Sequence, residues 1–171
     1  MPERNSQAAL LADKLELLPH PEGGWYREVY RSDEKIDGEA LPSRFAGDHT
    51  YCTSIYYLLE SGDFSAFHRI KSDETWHFYL GSPLKLYILR EDGTLLTVML
   101  GDCVDTGHVF QWTVPRGQWF AAEVSVPGSF TLMGCTVSPG FEFDDMEMAS
   151  FCKLESRYSR YATLIRRMTR M

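Results

Sequence analysis

No apolar run in this 171-residue chain approaches the roughly 20 residues needed to cross a bilayer. The first eighteen residues lack the basic start and long apolar stretch of a secretory signal. A soluble, cytoplasmic protein without a membrane partner is the expectation. Cysteine is sparse: Cys52, Cys103, Cys135 and Cys152 are widely separated, with no Cys-x-x-Cys pair. That argues against a zinc knuckle and a thioredoxin-like site, and reduced, buried thiols are expected. Positive charge is also short, with 17 Lys and Arg against 24 Asp and Glu, a formal balance of -7. Such a field is unfavourable to nucleic acid. Internal repeats and low-complexity tracts are absent as well.

What remains is a folded domain. Hydrophobic residues make up 44% and aromatics 13%, enough to bury a sizeable core in one domain covering residues 1–171. Short segments rich in β-branched and aromatic residues recur at 25–31, 53–59, 64–70, 75–80, 84–89, 95–100, 109–114, 119–124 and 130–137. Turn residues separate them at Gly62, Gly81-Ser82-Pro83, Gly93, Gly117 and Gly128, which predicts an all-β sandwich or barrel. The core barrel is expected over about 19–143. Short terminal helices are expected at about 6–18, capped by Ser6 and stopped by Pro19, and at about 145–169, opening at Asp144 or Asp145. The polar stretch 32–48 has the character of a mobile loop or lid. Near the end, Arg157, Arg160, Arg166, Arg167 and Arg170 share an amphipathic pattern with Tyr158, Tyr161, Ile165 and Met168, which reads as a helix with a solvated basic face.

One stretch carries chemistry. Gly62, His68, Ile70, Glu74 and Gly81 are spaced so as to fall on two neighbouring antiparallel strands. The spacing resembles the first signature of the cupin superfamily, which in metal-binding members supplies His, His and Glu ligands. Here Ile70 stands at the second His position. Pro115-Arg116-Gly117 resembles the centre of the second signature, but Val109 replaces its opening Gly and Phe120 its His. The blocks around His20-Pro21-Glu22-Gly23-Gly24-Trp25-Tyr26-Arg27-Glu28, Thr53-Ser54-Ile55-Tyr56-Tyr57-Leu58-Leu59 and Gly134-Cys135-Thr136-Val137-Ser138-Pro139-Gly140-Phe141-Glu142 are similar to those of the Cupin 5 family, from about residue 15 to residue 147. The resemblance implies a double-stranded β-helix, a jelly-roll-like barrel, and a homodimer. No reaction comes with it.

Alternation along a strand places His68 with Ala66 and Ile70, and Glu74 with Trp76 and Phe78, with His77 facing the opposite way from Glu74. In the register that the cupin resemblance implies, His68 and Glu74 point into the barrel mouth. Two side chains are too few for a tight transition-metal site. No cofactor is therefore expected, and a divalent metal, if bound, would use His68 and Glu74 with a third group such as Glu142, His77 or Tyr56. The same pair suits proton transfer, with imidazole as base and carboxylate as its orienting partner. Metal-independent sugar-nucleotide epimerases share this barrel and use His, an acid and Tyr, which suggests Tyr56 as the acid. Arg27, Ser54, Trp76, Phe120 and Glu142 are the candidate substrate contacts, Arg27 through its planar fork and Trp76 by stacking. Three functions follow: a metal-independent isomerase or epimerase of a sugar-like or nucleotide-linked carbonyl compound, a small-molecule sensor without chemistry, or a metal-dependent cupin enzyme.

Overall fold

The computed structural model describes residues 5–170. Asn5, rather than Ser6, caps the first helix: its side-chain oxygen accepts the N–H groups of Gln7 (3.0 Å) and Ala8 (3.2 Å), satisfying donors that a helix start leaves free. α1 covers Ser6–Lys14 and stops earlier than the sequence suggests, because Glu16 takes a positive φ of 53° and the next residues join a sheet. The strands follow as β1 (Leu18–Pro19), β2 (Trp25–Arg31), β3 (Lys35–Ile36), β4 (His49–Thr50), β5 (Thr53–Glu60), β6 (Phe64–Ile70), β7 (Asp73–Gly81) and β8 (Leu84–Leu89). After them come β9 (Leu95–Leu100), β10 (Gln111–Val114), β11 (Trp119–Val124), β12 (Phe130–Ser138) and β13 (Met146–Met148).

Eleven of them form two facing antiparallel sheets, in the orders β1-β2-β5-β12-β7-β10 and β13-β6-β11-β8-β9, and β3 pairs with β4 in a small sheet of its own. Between the sheets lie Tyr57, Trp76, Leu86, Ile88, Phe120 and Met133, all 1% exposed or less. Each outer face is covered at one place. Ala8, Ala12 and Leu17 pack on Leu58, Phe130 and Leu132 of the first sheet. The C-terminal helices α2 (Phe151–Tyr158) and α3 (Ala162–Arg167) lay Leu154, Tyr158, Ile165 and Met168 on Phe67, Leu89, Trp119 and Ala121 of the second.

Ser150 caps α2, its Oγ accepting the Lys153 N–H at 3.4 Å. Asp144 and Asp145, the caps expected from sequence, sit instead in a 3-10 turn, with Asp145 buried. Several arginines of the tail are tied to the barrel. Arg167 pairs with Glu123, Arg170 with Asp63, and Arg157 donates to the Glu91 carbonyl. The 32–48 stretch is also tied down. Phe45 is buried, Arg44 Nε donates to the Lys71 carbonyl at 2.9 Å, and the strand that ends the stretch is anchored by His49 against Asp145 at 2.6 Å. All four cysteines are unpaired, and of them only Cys135 is fully buried. Among the described residues, no helix is long and apolar enough to cross a membrane.

Candidate functional site

The site is built on the turn between β1 and β2, at residues 20–24. Gly23 adopts φ 117° and Gly24 φ 71°, left-handed values that favour glycine. A Cβ on Gly23 would also collide with the Phe64 carbonyl and the Arg170 guanidinium. This close approach turns the Glu22 side chain inward, where it is 5% exposed. The Glu22 carbonyl is fixed from outside, accepting from the Ala66 N–H (2.9 Å) and Arg170 Nε (3.1 Å). Inside, Glu22 Oε2 lies 3.0 Å from His68 Nε2 and Oε1 accepts from Ser65 Oγ at 2.8 Å. Tyr57 closes the turn by donating its hydroxyl to the Gly23 carbonyl at 2.6 Å.

Both nitrogens of His68 are thereby committed, since Nδ1 sits 2.8 Å from the Ala66 carbonyl. A carbonyl on one side and a carboxylate on the other both call for N–H donors, so the ring is held as imidazolium. Burial opposes that charge most strongly, but the Glu22 carboxylate, Glu74 and the Ala66 carbonyl together outweigh it and lift the His68 pKa to about 9. Burial likewise opposes the Glu22 charge, and the imidazolium, with His20 and Ser65, overcomes it and brings Glu22 down to about 2. His20, whose side chain is 7% exposed, behaves differently: burial lowers its pKa, and the nearby Glu22 does not offset that.

Glu74 completes the set. It projects from β7 into a cavity of about 260 Å³ that His68, Glu22, Tyr57 and Cys135 also line. Its Oε2 is buried with no hydrogen-bond partner, as is Trp76 Nε1. Burial raises the Glu74 pKa to about 7, and the Glu22 carboxylate adds to it, while His68 and the neighbouring Cys135 and Trp76 groups draw it down. A carboxyl titrating near neutrality with a free oxygen at a cavity wall is equipped to give and take a proton. Ile70, Met146, Phe141 and Phe143 form the apolar wall. At the mouth Arg31 bridges Glu28 (2.9 Å) and Glu142 (2.6 Å).

Of the residues singled out from sequence, His68, Glu74 and Glu142 meet at this cavity. Trp76 and Phe120 face the same interior but lie deeper, packed edge-on to each other with ring centroids 6.1 Å apart, and Phe120 backs the His68 ring at 4.1 Å. Tyr56 and Ser54 lie on the opposite face of β5. Tyr56 packs near Tyr79 (6.2 Å between centroids) and Ser54 Oγ sits 3.4 Å from Thr136 Oγ1. The acid role suggested for Tyr56 therefore has no geometric support, and its neighbour Tyr57 is the tyrosine at the cavity. Arg27 shares the outer face and pairs with Glu16 at 3.0 Å, whereas Arg31 reaches the mouth. His77 also faces outward, stacked on Tyr79 and 3.1 Å from Thr136 Oγ1. No residue of 32–48 lines the cavity. Sequence reasoning passed over Glu22, His20 and Arg31. The available signal for Glu22 was an acidic residue set between Pro21 and two glycines in an otherwise apolar turn.

The donor set does not fit a transition metal. Ile70 and Phe120 offer no ligand atoms, both nitrogens of His68 are taken, and no group of three or more His, Cys, Asp or Glu able to hold an ion occurs among the described residues. Comparison with known proteins places the fold. The family model described as Cupin superfamily (DUF985) matches residues 9–149. The chain belongs to the cupin superfamily. This cupin is 28% identical over 154 residues to an uncharacterized protein of Saccharomyces cerevisiae, covering 85% of this chain and 76% of that one. A solved structure from Shewanella oneidensis is 37% identical with a TM-score of 0.85, covering 98% of this cupin and 99% of that chain. A hypothetical protein from Leishmania major is 33% identical with a TM-score of 0.84, at 96% and 99% coverage. Oxalate decarboxylase from Bacillus subtilis shares the fold alone, at 14% identity and a TM-score of 0.53, this cupin covering 36% of that chain.

Proposed function

We propose that this cupin is a metal-independent isomerase or epimerase of a small carbonyl compound, with Glu74 as the proton-transfer group. The observation that carries the reading is the buried, unbonded Glu74 Oε2 at the cavity wall. The roles suggested by sequence are exchanged. His68, locked between Glu22 and the Ala66 carbonyl, has no free lone pair to act as base, and Glu22 rather than Glu74 is the group that orients it.

In its ionised form Glu74 takes the proton from the carbon next to the carbonyl, and the C–H electron pair passes into the carbon–carbon bond as the carbonyl π pair moves onto oxygen. The imidazolium charge of His68 lies nearby in a poorly solvated site, where it favours the developing negative charge. The protonated carboxyl then returns the proton to the former carbonyl carbon while the proton of the neighbouring hydroxyl passes to the enediolate oxygen, so that the new carbonyl forms and the isomerisation has no net gain or loss. Epimerisation requires a second group on the other side of the substrate carbon, and His20, kept from charging by burial and part of the cavity wall, is of the right chemical type.

The test is deuterium wash-in. Aldoses and ketoses are incubated with the protein in deuterated water and followed by proton NMR. A substrate loses its α-proton signal with the wild type, and Glu74→Gln slows that loss by about 100-fold to 10,000-fold, the usual contribution of a positioned acid–base group. A sugar that binds in the cavity yet shows no enzyme-dependent exchange favours a sensing cupin instead.

A further inference from the structure

The charged groups that line the cavity do not add to zero. Glu22 and His68 cancel each other within one ion pair. That leaves Arg31 as the one remaining lining cation, faced by two carboxylates. Arg31 Nε and Nη2 donate to Glu28 (3.0 and 2.9 Å), Nη1 to Glu142 (2.6 Å), and Nη2 also to the Phe141 carbonyl (3.0 Å). An anionic group entering here could recruit Arg31 only by displacing a carboxylate and then facing it at close range, an arrangement that interfaces use to reject partners. Size points the same way. At about 260 Å³ the cavity is below the roughly 300–1,000 Å³ of pockets for drug-sized ligands, so a sugar ring fits and a nucleotide diphosphate does not.

We propose that the ligand of this site is a compact sugar-like carbonyl compound bearing no anionic group, and that Glu28 and Glu142 are the residues that exclude phosphorylated and nucleotide-linked forms. The carbonyl in this assignment rests on the proton-transfer reading, and the charge rests on the mouth. Tyr26, Tyr57, Phe141 and Phe143 among the lining side chains supply ring faces for the apolar side of a sugar. A second, more basic cleft carries Arg44, Arg69, Lys71 and Arg116, but it shares only the apolar Ile70 and Met146 with the cavity. Two of its cations are already taken, Arg69 by Glu147 and Lys71 by Asp145.

The experiment uses three matched pairs, D-fructose, D-xylulose and dihydroxyacetone, each with its terminal phosphate ester, titrated calorimetrically into the full chain and into a Glu28→Gln/Glu142→Gln double variant. At least one uncharged member is expected to bind the wild type about tenfold or more tightly than its phosphate. The double variant should close that gap by raising the affinity for the phosphate relative to its uncharged partner about tenfold. Tighter binding of a phosphate by the wild type, an unchanged preference in the double variant, or binding of none of the six compounds each overturns the assignment. An uncharged sugar that binds with the stated preference but exchanges no deuterium leaves the charge selection standing and rejects the proton-transfer reading.

Discussion

Replacing Glu22 by Gln tests the electrostatics of the site without knowledge of the substrate. In the wild type the His68 pKa is raised from 6.5 to about 9 and the Glu22 pKa is lowered from 4.5 to about 2. A raised histidine adds stability that is fully present below pH 6.5 and fades as pH climbs through 9. A depressed carboxyl adds stability that is present above pH 4.5 and fades as pH falls through 2. Between those ordinary values, from 4.5 to 6.5, the pair is at full strength. Removing one partner of a buried ion pair costs about 3–5 kcal/mol, which for a chain of this size is a fall in Tm of about 6–20 °C. At about 1.4 kcal/mol per unit, even the lower figure means that the imidazole titration moves down by about two units. Burial is then left opposed only by Glu74 and the Ala66 carbonyl. Two measurements check this. NMR titration of His68 should show a midpoint near 9 in the wild type and one well below it in Glu22→Gln. Thermal melts should show the largest difference between the two proteins near pH 5.5 and a smaller one above pH 9. A wild-type midpoint at the ordinary histidine value, or one that Glu22→Gln leaves in place, refutes the ion pair and with it the argument that His68 has no lone pair to offer.

Glu74→Gln should stabilise the protein in alkali: the Glu74 pKa is raised from 4.5 to about 7, so the wild type loses about 3 kcal/mol as pH rises through that interval. The variant should lose little, and urea melts at pH 5 and pH 8 that show equal wild-type and variant slopes would count against it. Tyr57→Phe removes the hydroxyl bound to the Gly23 carbonyl at 2.6 Å and should cost about 1–3 kcal/mol. Because that bond also fixes the turn carrying Glu22, the His68 titration should shift downward in the same variant. Protein purified without added metal is expected to carry far less than one equivalent of Fe, Mn, Ni or Zn by elemental analysis. Near-stoichiometric metal that disappears in His68→Ala would overturn the metal-free reading.

Strand positions were legible from β-branched and aromatic runs punctuated by glycine, because hairpin turns and a half-buried surface impose those residue types directly. Depth and parity were less so. Alternation puts Glu74 and Trp76 on one face of their strand, but it cannot say that Trp76 lies below the cavity floor. Within Thr53–Glu60 the run from Ile55 to Leu59 is wholly apolar or aromatic, so nothing in the pattern there tells Tyr56 from Tyr57, and a one-residue slip exchanges the two faces. Arg27 and Arg31 would share a face on a regular strand. The register of β2 against β5 shifts between Glu28 and Tyr30, and that irregularity turns Arg31 toward the mouth while Arg27 stays outside. Glu22 reaches His68 through the packing of a turn against a distant strand, a contact no local pattern encodes.

The substitutions that remove two expected metal ligands have a common structural consequence. With Ile70 and Phe120 at those places, the position facing Glu74 is occupied by an imidazolium whose counter-charge comes from the β1–β2 turn. On the proposed metal-free reading, the positive charge facing Glu74 is a proton held on His68 by Glu22. It persists only while Glu22 stays in place, which explains why so many bonds converge on that turn: Arg170 and the Ala66 N–H on the Glu22 carbonyl, Ser65 on its carboxylate and Tyr57 on Gly23. Glu74 has only the Cys135 and Trp76 groups beside it, and its Oε2 takes no hydrogen bond. A buried carboxylate held by His68 and Ser65, on a turn braced by three further hydrogen bonds, beside a neighbour with an unpartnered oxygen in the same cavity, is hard to reconcile with a purely structural pair. The asymmetry is what a proton-transfer site needs: one charge held still, and one carboxyl left free to change its state.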